Sequence, residues 1–300
     1  MTVPFPVEVA ALGAPALVAL TYLAVGSSAA RLGAAGFNLL RLCVAVAGMG
    51  LAVLAFGSDR TLSGAQAGAL ALSAVVGLVL GDTGIYAALA RIGPRRTGLL
   101  YATNGPMAAV LGYALLGEGL PPARLGGIAL VVAGVWLAVA YRDAGAGRWE
   151  GAAAYPGAGV FFGLLGALGQ AGGVLLARPV MAAGVDPMLA ALVRLAAALV
   201  ALLILAAAVP ALRPAARPDA RALAAGCVSG LLGTAAATSL VLLALRGGSS
   251  GVVATLASTT PVVLLVLLWI VSRKRPAAPA WVGAVLAVVG AMVLVLSPFS

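Results

Sequence analysis

The sequence contains no histidine, eight acidic residues and two cysteines in 300 positions. Without histidine, neither an imidazole proton relay nor a histidine-ligated zinc site can form. Cys43 and Cys227 lie inside apolar runs, where a thiol is expected to behave as a small buried apolar group, and they build no disulfide framework. Paired carboxylates and a catalytic-serine motif are also missing. The sequence therefore does not favour an enzyme, and no cofactor or metal is expected.

Charge is scarce throughout, with 9% charged against 63% hydrophobic residues and a mean hydropathy of +1.14. Such a composition excludes an ordinary soluble domain. The charged residues cluster in short connectors, and the apolar runs between them approach the roughly 20 residues that one bilayer crossing requires. Each run is read as a helix, because a helix satisfies its own backbone in lipid and barrel strands would be shorter and alternating.

The predicted fold class is an all-α integral membrane protein with ten transmembrane helices. The ten apolar runs are 7–26, 37–56, 67–89, 99–116, 125–140, 160–177, 188–209, 222–244, 252–271 and 281–296.

The net charge of +10 invites a nucleic-acid interpretation. Cations in short loops are better explained as anchors of helix ends against anionic lipid, and no basic run with interleaved aromatics is present, so no nucleic-acid partner is expected. Lys274 is the only lysine among 18 cations, which suggests a GC-rich genome. We expect a multi-pass protein of a bacterial cell membrane. The first seven residues lack a positive segment and a cleavage signal, so the first helix is expected to be retained.

The sequence contains an internal repeat, and the offset between corresponding positions of the two copies increases from 153 to 156 residues. Seven positions of the first copy correspond to seven of the second. They are Thr97, Gly98, Pro106, Gly117, Glu118, Gly127 and Gly134, matched in order by Ser250, Gly251, Pro261, Arg273, Lys274, Gly283 and Gly290. The predicted units are residues 1–142, with five helices, a connector at 143–156, and residues 157–300, with five more. An odd number of helices per copy forces opposite orientations in the membrane, and secondary carriers build a central site between such inverted repeats.

The run Gly117–Val135 resembles the close of an EamA repeat of the drug/metabolite transporter superfamily. The proline late in each copy and the arginine near the start of each second helix, Arg41 and Arg194, fit the same pattern. The resemblance implies a cavity formed by the first four helices of each repeat, with peripheral fifth helices. It does not imply a substrate. Glu118 departs from the symmetry, because Lys274 stands at its place in the second copy.

The orientation predictions disagree. If both termini were cytoplasmic, most of the arginines in the loops would lie on the opposite, outer side of the membrane. Positive-inside counting therefore places both termini outside. The family resemblance implies both termini in the cytoplasm.

Asp82 is the sharpest candidate residue, because it lies deep in the third helix between Gly81 and Gly84. A carboxylate inside the bilayer costs about 2.5–3.5 kcal/mol on insertion scales and marks a functional site by default. We predict that it binds a coupling proton or a cation, with Tyr86 one turn further on the same face. The alternative is that Asp82 only hydrogen-bonds across a helix interface or stays protonated.

Polar residues before Pro106 and Pro261 predict interrupted helices at matching positions of both halves, which in carriers point to the binding site. The alternative is a kink used only for packing. In the sixth helix, Gly163, Gly166, Gly169 and Gly172 predict close packing, or sliding between the halves, with Gln170 beside them. The residues predicted to line the substrate cavity are Tyr22, Asp82, Tyr86, Tyr101, Asn104, Pro106, Gln170, Thr238, Ser258, Thr259 and Pro261.

Arg41 and Arg194 are predicted to snorkel to the interface as anchors or, alternatively, to gate the cavity or hold an anionic group. Glu118, Arg124 and Asp186 are interpreted as loop charges. Few intramembrane charges argue against a highly charged substrate. The leading hypothesis is an exporter of a small amphipathic or zwitterionic metabolite, such as an amino acid, an amine or a drug-like compound, as a monomer or homodimer. The alternatives are a lipid or lipid-linked-sugar flippase and, more distantly, a membrane-embedded enzyme.

Overall fold

The computed structural model of the protein describes residues 7–57, 61–140, 156–257, 259–272 and 278–296, and the regular structure within these ranges is helical. Two π-helical segments, Val75–Gly81 and Ser229–Ala236, join α3 to α4 and α9 to α10, and a 3-10 turn, Pro210–Leu212, follows α8. The α-helices are α1 Val7–Leu32, α2 Ala34–Phe56, α3 Gly64–Ala74, α4 Asp82–Tyr101, α5 Asn104–Leu116, α6 Pro122–Ala140, α7 Pro156–Ala182, α8 Pro187–Ala208, α9 Ala220–Val228, α10 Ala237–Gly247, α11 Ser250–Ala257, α12 Thr260–Ser272 and α13 Ala278–Leu296.

These helices form ten spans, as predicted. Span 3 is the continuous helix Gly64–Gly93, and span 8 is Ala220–Gly247, each with a π segment at its middle. Helix α4 bends at Gly93, where φ is 78°, so the part of α4 that follows this glycine belongs with α5 to span 4. Helices α11 and α12 together form span 9. The other spans are α1, α2, α6, α7, α8 and α13. Spans 2, 3, 6, 7 and 8 each contain a helix long and apolar enough to cross a membrane on its own.

Several helices extend beyond the predicted apolar runs. Helix α1 continues to Leu32 and α2 already begins at Ala34. The two are separated by Gly33, whose φ of 77° ends the helical path, and α2 is followed by Gly57 at φ 70°. Hydropathy locates the apolar centre of a span, whereas the helix ends where the backbone turns, often at a glycine with positive φ.

The packing is that of a protein in lipid, with small residues inside and large apolar ones outside. Many of the most buried side chains are alanines, and Leu54, Phe56 and Ile204 are exposed on the outer surface. Close approach of helix backbones stabilises membrane bundles because lipid offers no hydrophobic drive between helices. Cys43 and Cys227 are exposed, so the expectation that they are buried was wrong. In a bilayer, apolar character does not indicate which face of a helix is buried.

The fifth helices of the two repeats, α6 and α13, pack mainly against each other. A Cβ atom at Gly134 would lie 2.4 Å from the backbone nitrogen of Ala287, and one at Gly290 would lie 2.6 Å from that of Val131. These glycines therefore allow backbone-to-backbone contact, in agreement with a packing role. The pair is set apart from the helices that enclose the centre.

The two repeats interlock through crossed contacts. Span 3 of the first repeat packs on α7 of the second, and span 8 of the second packs on α1 of the first. The contact between span 3 and α7 is formed by Gly77, Gly81 and Gly84 on one side and Gly166, Gly169 and Gly173 on the other, a set that we call the glycine interface. A Cβ at Gly169 would lie 2.7 Å from Cα of Gly81. At the glycine interface the backbones of the two halves therefore lie directly against each other.

Candidate functional site

A cavity of about 100 Å³ lies at the centre of the bundle. Its walls come from the first four spans of both repeats, α1, α2, span 3 and span 4 on one side and α7, α8, span 8 and span 9 on the other. Its apolar wall includes Val18, Ile85, Val174 and Val241. Its polar wall is formed by Thr21, Arg41, Asp82, Tyr86, Tyr101, Gln170, Arg194, Thr234, Thr238 and Thr260.

Asp82 faces this cavity and is held by side chains of both repeats. Arg41 of α2 forms an ion pair with it, through Nη2 to Oδ2, and Gln170 of α7 donates from Nε2 to Oδ1. The Asp82 side chain is 15% exposed and that of Arg41 is 4% exposed. Both carboxylate oxygens thus accept a charge-assisted or amide hydrogen bond, which is the condition for keeping a charge inside a bilayer. The contact with Gln170 crosses between the halves.

Two π-helical segments, which start 154 residues apart, shape this network. The first ends immediately before Asp82, and the second contains Thr234, whose Oγ1 accepts from Nη1 of Arg41 at 2.5 Å. That hydroxyl donates in turn to the carbonyl of Ser229 at 2.9 Å. π-Helical turns widen a helix and recur at functional sites. Here they bring one polar residue from each repeat to the same guanidinium.

Asn38, one turn before Arg41 on α2, supports the arginine from behind. Its Oδ1 accepts from Nε of Arg41 at 2.9 Å, and its Nδ2 donates to the carbonyl of Leu78 and to Oγ1 of Thr83, each at 2.9 Å. Asn38 is fully buried. It therefore ties α2 to span 3 on both sides of the π segment boundary and fixes the direction of the arginine.

Tyr86 completes the surroundings of Arg41. The guanidinium carbon lies 5.1 Å from the centre of the Tyr86 ring, within range of a cation–π interaction. Phe37 packs edge-on against the same ring at 5.3 Å. Arg41 is thus satisfied by an ion pair, hydrogen bonds and an aromatic face, which differs from an arginine that snorkels to the interface.

Arg194 is related to Arg41 by the repeat, lies in α8, and is also 4% exposed. Unlike Arg41, it donates no side-chain hydrogen bond to a described residue, and its buried Nε has no partner among them. Its Nη2 lies close to Gly77, where a Cβ would come within 3.2 Å. It lines the cavity near enough to Asp82 to interact with that charge. The anchoring interpretation fits this burial poorly, since a snorkelling arginine keeps its head in water.

A family model described as the EamA-like transporter family matches the chain twice, over residues 6–140 and 157–296. The chain belongs to the EamA-like transporter family. A solved structure, described only as a crystal structure of a protein, is similar at 20% identity and a TM-score of 0.75, and the alignment covers 96% of this chain and 95% of that one. At that identity the likeness establishes the fold alone. No curated protein matches the sequence.

The polar residues before Pro106 and Pro261 predicted interrupted helices, and the structure shows breaks near both. Helix α4 ends at Tyr101 and α5 begins at Asn104, so Pro106 lies in the first turn of a new helix, where proline is tolerated. In the second repeat α11 ends at Ala257 and α12 begins at Thr260. Tyr101 and Thr260 line the cavity at these breaks.

The predicted cavity residues divide into three groups. Asp82, Tyr86, Tyr101, Gln170 and Thr238 line the cavity. Asn104, Pro106 and Thr259 do not, and Oγ1 of Thr259 donates to the carbonyl of Leu256 at 2.7 Å, as expected of a hydroxyl that serves its own helix. Ser258 and the side chains of Tyr22 and Pro261 lie outside the described residues.

Glu118 is more than the loop charge that the sequence predicted. Its carboxylate accepts hydrogen bonds from the backbone nitrogen of Ser250 at 2.9 Å and 3.0 Å and from the Ser250 hydroxyl at 2.6 Å, at the start of α11. A carboxylate at a helix N-terminus also interacts favourably with the helix dipole. Glu118 thus connects the repeats. Arg124 is buried as well, and Asp186 caps α8 by accepting from Met188 and Leu189.

A second connection between the repeats involves Arg31 and Asp219. Nη1 of Arg31, at the end of α1, lies 2.6 Å from Oδ2 of Asp219, which caps α9. The hydrogen bond from the Ala222 backbone and the charge of Arg31 lower the pKa of Asp219. Both side chains are substantially exposed, so this ion pair contributes little to stability.

Sequence reasoning missed Asn38 and Thr234. It left open whether Arg41 and Arg194 anchor at the interface, gate the cavity or hold an anionic group, and the structure buries both. The available signal was their matching position near the start of the second helix of each copy. Within the described residues, no group of three or more histidine, cysteine, aspartate or glutamate side chains could hold a metal ion.

Proposed function

We propose that the protein is a secondary carrier of the cell membrane that exports a small amphipathic or zwitterionic solute by alternating access, with the central cavity as its substrate site. The supporting observation is that Asp82 and Arg41 of the first repeat bind Gln170 and Thr234 of the second at the wall of that cavity. A rocking motion between the halves must break or exchange these hydrogen bonds. Events in the cavity and motion of the halves are therefore coupled.

Asp82 is the proposed coupling group. While ionised, it holds Arg41 and Gln170 and so connects the two halves. A proton on the carboxylate would remove the charge that attracts Arg41 and convert one acceptor oxygen into a donor. Protonation would thus loosen the contact between repeats and give a proton gradient a means to drive the motion.

The cavity in this conformation is small. A volume of about 100 Å³ is below the roughly 300–1,000 Å³ of typical ligand pockets. A drug-sized solute would fit only after the halves separate, whereas a small metabolite requires less opening. The glycine interface supports such motion, because the glycines themselves present no side chains that interlock across the contact.

The test is solute flux in proteoliposomes containing the purified protein, with and without a pH gradient, for the wild type, Asp82→Asn and Asp219→Asn. Asp219→Asn is the matched control, because it removes an exposed carboxylate and keeps a residue that caps helices well. We expect gradient-driven flux of an amino acid or amine in the wild type and in Asp219→Asn, and at least a tenfold loss in Asp82→Asn.

Equal gradient-driven flux in Asp82→Asn would remove the coupling role and leave the carrier. The absence of flux for every water-soluble solute would contradict the proposed substrate class, and scrambling of labelled lipid in the same vesicles would then indicate a flippase.

A further inference from the structure

Arg194 and Arg41 occupy equivalent places in the two repeats and have different surroundings. Arg41 binds Asn38, Thr234 and Asp82. For Arg194 the structure shows no hydrogen bond to a described residue, although its side chain is 96% buried within the membrane region and reaches the cavity wall. A guanidinium in such a place is costly, because the nearby charge of Asp82 acts without a hydrogen bond and offsets the desolvation only in part.

The charges of the cavity wall do not cancel. The charged side chains that line the cavity are two arginines, Arg41 and Arg194, and one carboxylate, Asp82, which leaves one excess positive charge. The hydrogen bonds of Asp82 go to other residues, because Oδ2 accepts from Arg41 and Oδ1 from Gln170. A single excess charge is consistent with the expectation that the site does not take a highly charged substrate.

We propose that Arg194 binds the carboxylate of the transported solute, which is a small monoanionic or zwitterionic compound. This inference rests on the proposed carrier function and specifies what its site recognises. A guanidinium presents paired N–H donors that match a carboxylate, and one carboxylate balances the single excess charge. A dianionic phosphate would place a second negative charge near Asp82, where like charges repel.

The remaining wall defines the rest of the solute. Val18, Ile85, Val174 and Val241 present a branched aliphatic surface, which suits a short apolar side chain. Tyr101 adds an aromatic ring to the wall, and aromatic faces attract ammonium groups. The carboxylate is the required feature, and the amine is an addition that this site tolerates.

The test uses four probes of nearly equal shape: valine, isovalerate, valinamide and isobutylamine. Binding is measured by thermal stabilisation of the purified protein, and transport is measured by counterflow in proteoliposomes. Valine and isovalerate carry the carboxylate, whereas the other two do not. We expect the two carboxylates to bind at least tenfold more tightly than valinamide and isobutylamine, as for loss of a charge-assisted hydrogen bond.

Three variants test the role of Arg194 itself. Arg194→Gln should abolish the preference for carboxylates, Arg194→Lys should keep part of it, and Arg217→Gln, at an exposed loop position, should leave it unchanged. If the preference for carboxylates falls partly in Arg194→Lys, which keeps the charge, and completely in Arg194→Gln, which does not, Arg194 binds the carboxylate and does not act only through the structure.

The proposal is overturned if valinamide and isobutylamine bind as well as valine, or if Arg194→Gln keeps the preference; transport of the amines would then leave the carrier function intact. The proposal is also overturned if potassium chloride stabilises the protein more than potassium sulfate does and the carboxylates have no effect. Arg194 would then bind an inorganic anion. Failure of all probes together with all other soluble solutes counts against the carrier function as well.

Discussion

Replacing Arg41 with methionine is expected to destabilise the protein, whereas replacing Arg194 with methionine is expected to stabilise it in the absence of solute. Arg41→Met leaves the buried carboxylate of Asp82 without its ion-pair partner, a change that costs about 3–5 kcal/mol in buried pairs. Gln170 remains bound to Asp82, so we expect the lower end of that range. Arg194→Met removes a buried charge without a hydrogen bond to the described residues and should gain about 1 kcal/mol or more.

The measurement is thermal unfolding of the purified variants in one detergent, followed by tryptophan fluorescence. The double variant Arg41→Met with Asp82→Asn serves as control, because it removes both charges of the pair and should recover stability relative to Arg41→Met alone. If the melting temperature changed in the same direction in Arg41→Met and Arg194→Met, the difference that the structure assigns to the two arginines would be contradicted.

Adding one methyl group to the glycine interface is expected to abolish transport and lower stability. In Gly169→Ala the new Cβ would lie 2.7 Å from Cα of Gly81 and 2.8 Å from the carbonyl oxygen of Val76. Backbone atoms cannot rotate away as a side chain does, so span 3 and α7 must separate. Overpacking of this kind costs about 1–3 kcal/mol, and the displaced contact includes Gln170, which binds Asp82.

Two alanine substitutions provide matched controls. A Cβ at Gly172 would meet a side-chain atom, Cγ1 of Val76, at 3.0 Å, and a Cβ at Gly68 would have nothing within 4 Å. We expect a small effect for Gly172→Ala and none or a slight stabilisation for Gly68→Ala, because alanine favours helix more than glycine. Equal flux and melting temperature for Gly169→Ala and Gly68→Ala would show that the halves do not meet as closely as described.

The architecture was readable from the sequence because membrane helices must be long, apolar and uninterrupted by charge. The ten runs and the internal repeat together specified the number of spans and the inverted arrangement. The π segments Val75–Gly81 and Ser229–Ala236 were not predicted, since no residue pattern distinguishes a π turn from an α turn within an apolar run. The outward position of Cys43 was also missed, because apolar faces in lipid point both inwards and outwards.

The site was only partly predictable. Asp82 stood out because an isolated carboxylate in a span has few structural explanations. Arg41 and Arg194 were harder, because an arginine near a helix end usually snorkels, and only the depth set by the actual helix starts, Ala34 and Pro187, reveals their burial. Which of the two arginines binds Asp82 depends on the packing of α2 and α8 against span 3, and sequence spacing does not specify that packing.

Alternating access requires the cavity to open to each side of the membrane in turn. It is tested most directly with a single cysteine at Thr238, a cavity-wall residue of α10, in a background carrying Cys43→Ala and Cys227→Ala. A membrane-impermeant thiol reagent is applied to right-side-out and to inside-out vesicles. A variant that keeps only Cys43, which faces outwards in the membrane region, serves as the unlabelled control. We predict that Thr238→Cys reacts in both vesicle orientations and that the transported solute slows both reactions. Labelling from one face only, unchanged by solute, would contradict alternating access at this site.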